Sequence, residues 1–226
     1  FFRHVLYRLA KGRHFRFHNI DGVVLSRSLF KKFDTSLLAY INGLRDVRRL
    51  CLWAATAARV REPRLTKRLC LQILSKVREG RDILDEPSFV TLARSLNALS
   101  DVELREEGLR VLNLDTFLEQ GARASHPESM TRINQVIHAY ADLLKDLGKI
   151  QEALLVLEGL PKAIIPDALT VLLKAEVLVL LGDARAEATY KEAILLAKDI
   201  TRRSPGITIK CLVEYANSLS RIRDRG

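Results

Sequence analysis

Residues 131–160 read TRINQVIHAYADLLKDLGKIQEALLVLEGL, and residues 167–200 read DALTVLLKAEVLVLLGDARAEATYKEAILLAKDI. In both segments an apolar stretch with helical periodicity ends at Leu-Gly, and a second stretch begins one or two residues later. The two turn glycines, Gly148 and Gly182, lie 34 residues apart. A period of about 34 residues is typical of stacked helix–turn–helix units. We therefore predict two successive helical hairpins over residues 131–200.

The stretch that ends at Leu181 is apolar around nearly its whole circumference. Its polar residues Thr170 and Lys174 form one narrow line, and Glu176 lies away from it. A helix of this kind is packed between neighbours on most sides, so we expect it inside the array. Because Lys174 and Glu176 interrupt it, the run falls short of the roughly 18 uncharged apolar residues that a membrane span needs. No other stretch comes closer.

Helical periodicity extends upstream of this region. Apolar residues at spacings of three and four predict a helix over about residues 46–62. Pro63 suits the first turn of the next helix, which should end at Gly80. Ser100 and Glu103 have the spacing of a capping box and predict the start of a further helix.

The composition agrees with a helical protein. Gly and Pro together number only 17, and aromatic residues make up 6% of the chain, which leaves few turn formers. The predicted fold class is all-α, an α-solenoid of antiparallel helical hairpins with a basic N-terminal arm. We divide the chain into that arm (residues 1–33), diverged helical hairpins (34–126), and repeat hairpins with a capping helix (127–226).

Charge is distributed unevenly along the chain. Residues 1–80 hold 18 Lys/Arg against 5 Asp/Glu, whereas residues 81–197 hold 12 against 19. The whole chain carries a formal net charge of +10. A basic block joined to a mildly acidic one suggests a polyanionic partner on the basic side. The alternative is an Arg-rich solvated surface without a partner.

The basic block predicts contacts to RNA phosphates. Within residues 1–20, cations alternate with aromatic residues, a pattern that suits phosphate neutralisation together with base stacking. Further cations lie off the apolar stripes of the two helices predicted over residues 46–80. The candidate RNA-binding residues are Arg3, Arg8, Lys11, Arg13, Arg16, Arg45, Arg48, Arg49, Arg64, Lys67 and Arg68.

No catalytic or metal-binding pattern stands out. The sequence lacks phosphate-binding glycine loops, a zinc-protease motif and a serine-hydrolase elbow. His14 and His18 are one helical turn apart but have no Cys or carboxylate nearby, so surface or RNA-facing histidines are favoured over a metal site. Three scattered cysteines argue against a secreted disulfide scaffold and for a reducing compartment. We expect no enzyme activity, no catalytic residue, no metal, no cofactor and no small-molecule substrate.

Two runs in the C-terminal half carry a family resemblance. From Gly148, GKIQEAL places the small residue Ala153 five positions after a turn glycine. The run GDARAEATYKEAI, from Gly182, has small or aromatic residues at the same kind of packing position. On these residues the chain resembles the tetratricopeptide and pentatricopeptide repeat families. The packing residues of the second run are Ala186, Tyr190 and Ala193.

A second set of residues is more similar to the pentatricopeptide pattern: Asn134, Ile137, Tyr140, Pro166, Asp167 and Thr170. In that family Gln135 and Asp167 would lie near the base-reading positions; the alternative, which we favour, is a polar helix face and a helix cap. The chain also departs from the pattern. Eight residues separate Tyr140 from Gly148, about twice the family spacing, and the run from Gly182 to Ala186 is one residue short.

The resemblance implies two functions. Pentatricopeptide proteins bind single-stranded RNA in organelles, which predicts a mitochondrial ribosome subunit or RNA-processing factor in the matrix. The Arg-rich, acid-poor start fits a chain whose presequence has been removed or lies outside this sequence. The expected partners are RNA, most simply rRNA, and protein subunits that contact residues 127–226. The alternative is a tetratricopeptide-like protein scaffold or assembly factor that makes no direct RNA contact.

Overall fold

The computed structural model describes residues 43–44, 46–80, 83–123, 126–200 and 205–223. All regular secondary structure in these ranges is helical, which confirms the predicted all-α class. The contacts divide the chain after Leu112 into two compact units. The helices are α1 (Val47–Arg59), α2 (Pro63–Arg78), α3 (Glu86–Asn97), α4 (Val102–Val111), α5 (Asp115–Ala122), α6 (Pro127–Asp146), α7 (Ile150–Glu158), α8 (Ala168–Leu181), α9 (Ala186–Ile200) and α10 (Pro205–Arg223).

The first unit is built around α1 and α3. Helix α1 packs against α2 and α3, and α4 packs against both α2 and α3. The apolar stripe of α1 lies in this core, with Leu50 and Ala54 completely inaccessible and Trp53 buried. Leu69 and Ile73 of α2 are buried with them. The periodicity of residues 46–80 therefore predicted the inward faces of both helices.

Aspartates cap three of the four helices that the structure describes in this unit. Asp46 Oδ1 accepts from the backbone N–H of Arg48 at the start of α1, and Asp85 Oδ1 accepts from Ser88 at the start of α3. Helix α4 begins after Asp101, whose Oδ1 accepts from the N–H of Leu104 at 3.0 Å. The predicted capping box at Ser100 is therefore wrong by one residue. Ser100 is exposed, and the neighbouring carboxylate takes its place.

Besides Gly80 after α2, with φ of +66°, three left-handed residues end described helices in one common way. Gly148 and Gly182 follow α6 and α8 with φ of +77° and +69°, and Arg61 follows α1 with φ of +57°. In each case the next N–H reaches back five residues, as in the bond from Asp183 N to Leu178 O at 2.9 Å. Such bonds satisfy the last carbonyls of a helix. The two turns predicted at Gly148 and Gly182 are confirmed, and glycine suits them because it lacks a Cβ.

Helix α8 is the centre of the second unit. It contacts α6, α7, α9 and α10, and it is buried on nearly all sides, as its apolar circumference predicted. Helix α5 packs on α6, where Gly121 approaches Ile133 and Ile164 so closely that a Cβ would lie 2.9 Å from each. The second unit thus has its own core.

A buried amide joins α6 to α8. Asn134 is 2% exposed, and its Nδ2 donates to Ile165 O at 2.9 Å. Its Oδ1 accepts from the backbone N–H of Asp167 at 3.2 Å. Asp167 in turn caps α8 by accepting from the N–H of Thr170 at 2.8 Å. One side chain therefore fixes the loop that leads into the central helix.

Candidate nucleic-acid interface

Five of the predicted RNA-binding residues lie on α1 and α2. They are all exposed, and all occupy the first two turns of their helix. These are Arg48, Arg49, Arg64, Lys67 and Arg68. The remaining candidates lie outside the described residues: Arg3, Arg8, Lys11, Arg13, Arg16 and Arg45.

Ion pairs place these cations in two groups rather than on one face. Arg48 Nε lies 3.0 Å from Asp85 Oδ2, at the start of α3. Lys67 Nζ lies 2.6 Å from Asp101 Oδ2, beyond the end of α3. A helix rises about 1.5 Å per residue, and α3 has 12 residues. Helix α3 is therefore about 18 Å long, with Asp85 directly before it and Asp101 four residues after it.

Two of the five cations serve the fold of the unit. Asp85 and Asp101 are helix caps, so Arg48 and Lys67 each hold a capping carboxylate in place. The hydrogen bond from Lys67 lowers the pKa of Asp101, and the same bond raises the pKa of Lys67. The side chain of Lys67 is 52% exposed and that of Asp101 is 26% exposed, so solvent screens this pair and its net contribution to stability is small.

Other cations remain available to an anion. Arg49 has only a loose contact with Asp46, 3.5 Å between Nε and Oδ2, and both side chains are more than half exposed. Arg64 forms no ion pair with the described residues. Because cations near a helix N-terminus are opposed by the helix dipole, a bound anion would relieve that repulsion at both groups.

The acids downstream of α2 reduce the charge of this unit. Its described residues hold 12 Lys/Arg against 9 Asp/Glu, whereas residues 1–42 alone hold 8 against 2. The basic excess of residues 1–80 is therefore shared between the residues before α1, with 9 Lys/Arg against 3 Asp/Glu, and residues 47–80, with 9 against 2. In the sequence an aspartate directly precedes both α3 and α4, which indicates helix caps but not which cation each carboxylate meets.

The second unit contains a polar cleft that the sequence reasoning did not find. Its volume is about 180 Å³, and its lining comes from α6, α8, α9 and α10. Lys145 Nζ lies 2.9 Å from both Glu176 and Asp142, and the lysine side chain is only 18% exposed. Burial alone would lower the pKa of Lys145, but attraction to Glu176 and Asp142 outweighs it and the pKa is raised. The only sequence signal was that Glu176 interrupts an apolar helix.

The side chains near the proposed base-reading positions have structural explanations. Asp167 is the cap of α8, and Gln135 is an exposed residue on α6. Both positions fit the interpretation favoured from the sequence, in which Asp167 is a helix cap and Gln135 lies on a polar helix face.

The cysteines are buried, as expected. Burial, with a smaller contribution from Cys70, raises the pKa of the Cys51 thiol to about 12, so the reactive thiolate is not populated at neutral pH. Among the described residues, no three His, Cys, Asp or Glu side chains come together as metal ligands.

None of the helices described here is long and apolar enough to cross a membrane. Comparison with known proteins gives no match to a family model, to a curated protein or to a solved structure.

Proposed function

We propose that this chain is a non-catalytic helical-repeat protein that holds RNA through its basic N-terminal part and contacts a protein neighbour through its second unit. The observation that most supports RNA binding is the charge of residues 1–80, which hold 18 Lys/Arg against 5 Asp/Glu. The exposure of all five described candidate cations on α1 and α2 supports it. A polyanion is the partner that such a block attracts most strongly.

The proposal extends to the architecture and the setting. Consecutive helices contact one another in both units, and the turn glycines repeat at 34 residues. These features support an α-solenoid of antiparallel hairpins similar to tetratricopeptide and pentatricopeptide repeats. The setting we infer is an organellar ribonucleoprotein in the mitochondrial matrix, either the ribosome or an RNA-processing particle.

The structure guides the choice of variants that test RNA binding. Substituting Arg48 or Lys67 would disturb a capping carboxylate and mix stability with binding. Arg64 avoids this problem, and Arg49 has only a loose contact of 3.5 Å with the capping residue Asp46, so its loss disturbs the cap least. The two residues belong to different cation groups. The test variant is therefore Arg49→Gln with Arg64→Gln. The control variant, Arg94→Gln with Arg110→Gln, removes the same charge from exposed positions of the same unit.

The measurement is fluorescence anisotropy of a labelled single-stranded RNA at a series of salt concentrations. Each phosphate contact contributes about 0.7 to the slope of log K against log salt for single strands. The test variant should lower the magnitude of the slope by about 1.4 relative to the unmodified chain. The control should leave it unchanged. Equal slopes for the test and control variants would refute a role for these two groups.

A protein scaffold without RNA contact is the alternative function. It is favoured by three apolar side chains that remain exposed on α10: Ile209, Leu212 and Val213. They recur at spacings of three and four, so they share one helix face. Purification at low salt with and without nuclease separates the two functions. A stoichiometric protein that stays bound after nuclease, with no nucleic acid in the untreated sample, would favour the scaffold.

A further inference from the structure

The cleft of the second unit has a mixed lining. Apolar walls come from Val179, Leu180 and the buried Tyr190, and polar groups complete it. The polar lining consists of Lys145, Glu176, Glu214, Asn217 and Ser218. Its volume of about 180 Å³ is below the roughly 300–1,000 Å³ of pockets for drug-sized ligands. It therefore has room for the end of one long side chain rather than for a nucleotide.

The charges around the cleft favour a cation. Lys145 is the one ammonium group in the lining, and it is already held by Glu176 and Asp142 at 2.9 Å. Glu214, on α10, forms no ion pair with the described residues. Lys210, one turn before it, is exposed and does not pair with it. The cleft and the Lys145 ion pairs thus bring together three carboxylates and one ammonium group, so an incoming anion would be repelled.

We propose that this cleft binds an arginine or lysine side chain presented by a basic protein segment. The alkyl stem lies along Val179 and Leu180, and the charged head reaches Glu214 and Glu176. Long cationic side chains combine an apolar stem with a polar head, which matches the two kinds of wall. Arginine fits better than lysine, because its five N–H groups can donate hydrogen bonds to the carboxylates and to the side-chain oxygens of Asn217 and Ser218. This inference rests on the proposed contact between the second unit and a protein neighbour, and it specifies that contact. It does not depend on the proposed RNA binding.

The test is an NMR titration of the full chain with three small probes. They are N-acetyl-arginine methylamide, its uncharged isostere N-acetyl-citrulline methylamide, and N-acetyl-glutamate methylamide. The arginine probe should shift the backbone amides of residues 176–180 and 214–218, saturating at millimolar concentration. The citrulline and glutamate probes should not. Shifts of equal size with citrulline, larger shifts with glutamate, or none with arginine would overturn the proposal.

A matched pair of variants checks the role of Glu214. Glu214→Gln keeps the shape of the side chain and removes its charge, so the arginine probe should bind about fivefold more weakly. Glu152→Gln removes an equivalent carboxylate from an exposed position on α7 and should bind the probe as the unmodified chain does. Unchanged affinity in Glu214→Gln would contradict the assignment. The RNA titrations do not involve Glu214, so either proposal can fail without the other.

Discussion

Single polar side chains decide how the loops of this protein join its helices. Asn134 uses both ends of its amide, donating to Ile165 O and accepting from Asp167 N. The Asn134 side chain is 2% exposed, so water cannot reach the amide to replace these hydrogen bonds. A buried polar group that loses its hydrogen-bond partner destabilises the folded state by its full desolvation free energy. Asn134 is therefore expected to matter for stability far more than its exposed neighbours on the same helix.

Asn134→Ala should lower the free energy of unfolding by about 1–3 kcal/mol, since it removes these bonds and leaves buried groups unpaired. Gln135→Ala, at the exposed neighbouring position, should change it by less than about 0.5 kcal/mol. Urea denaturation of both variants measures the difference. Equal losses would show that the Asn134 network contributes nothing specific.

The turn after α8 contains a carboxyl group with a strongly lowered pKa. The Arg185 guanidinium donates to both carboxylate oxygens of Asp183, and together with the backbone N–H of Arg185 it lowers the pKa of Asp183 to about 2. A carboxyl group whose folded pKa is depressed adds stability above its unfolded pKa, about 3.9. That contribution is lost as pH falls from about 4 towards 2.

An NMR titration of the side-chain carboxyl carbon should therefore give Asp183 a pKa near 2. In Arg185→Gln the pKa should rise towards the ordinary value of about 3.9, because the charged donor is gone. Lys191→Gln, which removes a cation paired with Glu187 instead, should leave Asp183 unchanged. An Asp183 that titrates near 3.9 in the unmodified chain would show that the contact is absent in solution.

At the scale of helices, the ends are less predictable than the faces. The apolar stripes of α1, α2 and α8 follow from periodicity and were found in the sequence. The start of α4 was misplaced because Ser100 and Asp101 are both good capping residues and only the backbone geometry selects one. The end of α1 uses Arg61 with positive φ, a conformation that an arginine does not signal.

The cap of α4 can be tested directly. Asp101→Ala should destabilise the chain by about 1 kcal/mol, because the N–H of Leu104 loses its acceptor. Ser100→Ala should have an effect within about 0.5 kcal/mol. Thermal unfolding of the two variants measures both. A larger loss for Ser100→Ala than for Asp101→Ala would restore the capping box that the sequence suggested.

The ion pairs of the candidate interface and the cleft of the second unit depend on contacts between distant parts of the sequence, so sequence patterns did not predict them. Arg48 pairs with Asp85 and Lys67 with Asp101, each more than 30 residues away. The cleft likewise joins Lys145 to Glu176 and brings in Glu214 from another helix. Helical periodicity reports which side chains face inward, but it carries no information on which distant side chains meet. The exposure of the cations was therefore predictable and their pairing was not.

At the scale of the whole chain, charge separates the proposed roles. Residues 1–80 carry the basic excess, and residues 81–197 hold more acids than bases. Electrostatic attraction to a polyanion acts on that basic excess and weakens as salt is added. RNA is therefore expected to contact residues 1–80, and the cleft of the second unit remains available to a protein.

The most direct test of this assignment is ultraviolet crosslinking of the full chain to single-stranded RNA, followed by mass spectrometry of the crosslinked peptides. We predict that the crosslinked peptides fall within residues 1–80 and that their yield declines with added salt. Crosslinks confined to the second unit, or none at low salt, would contradict the account.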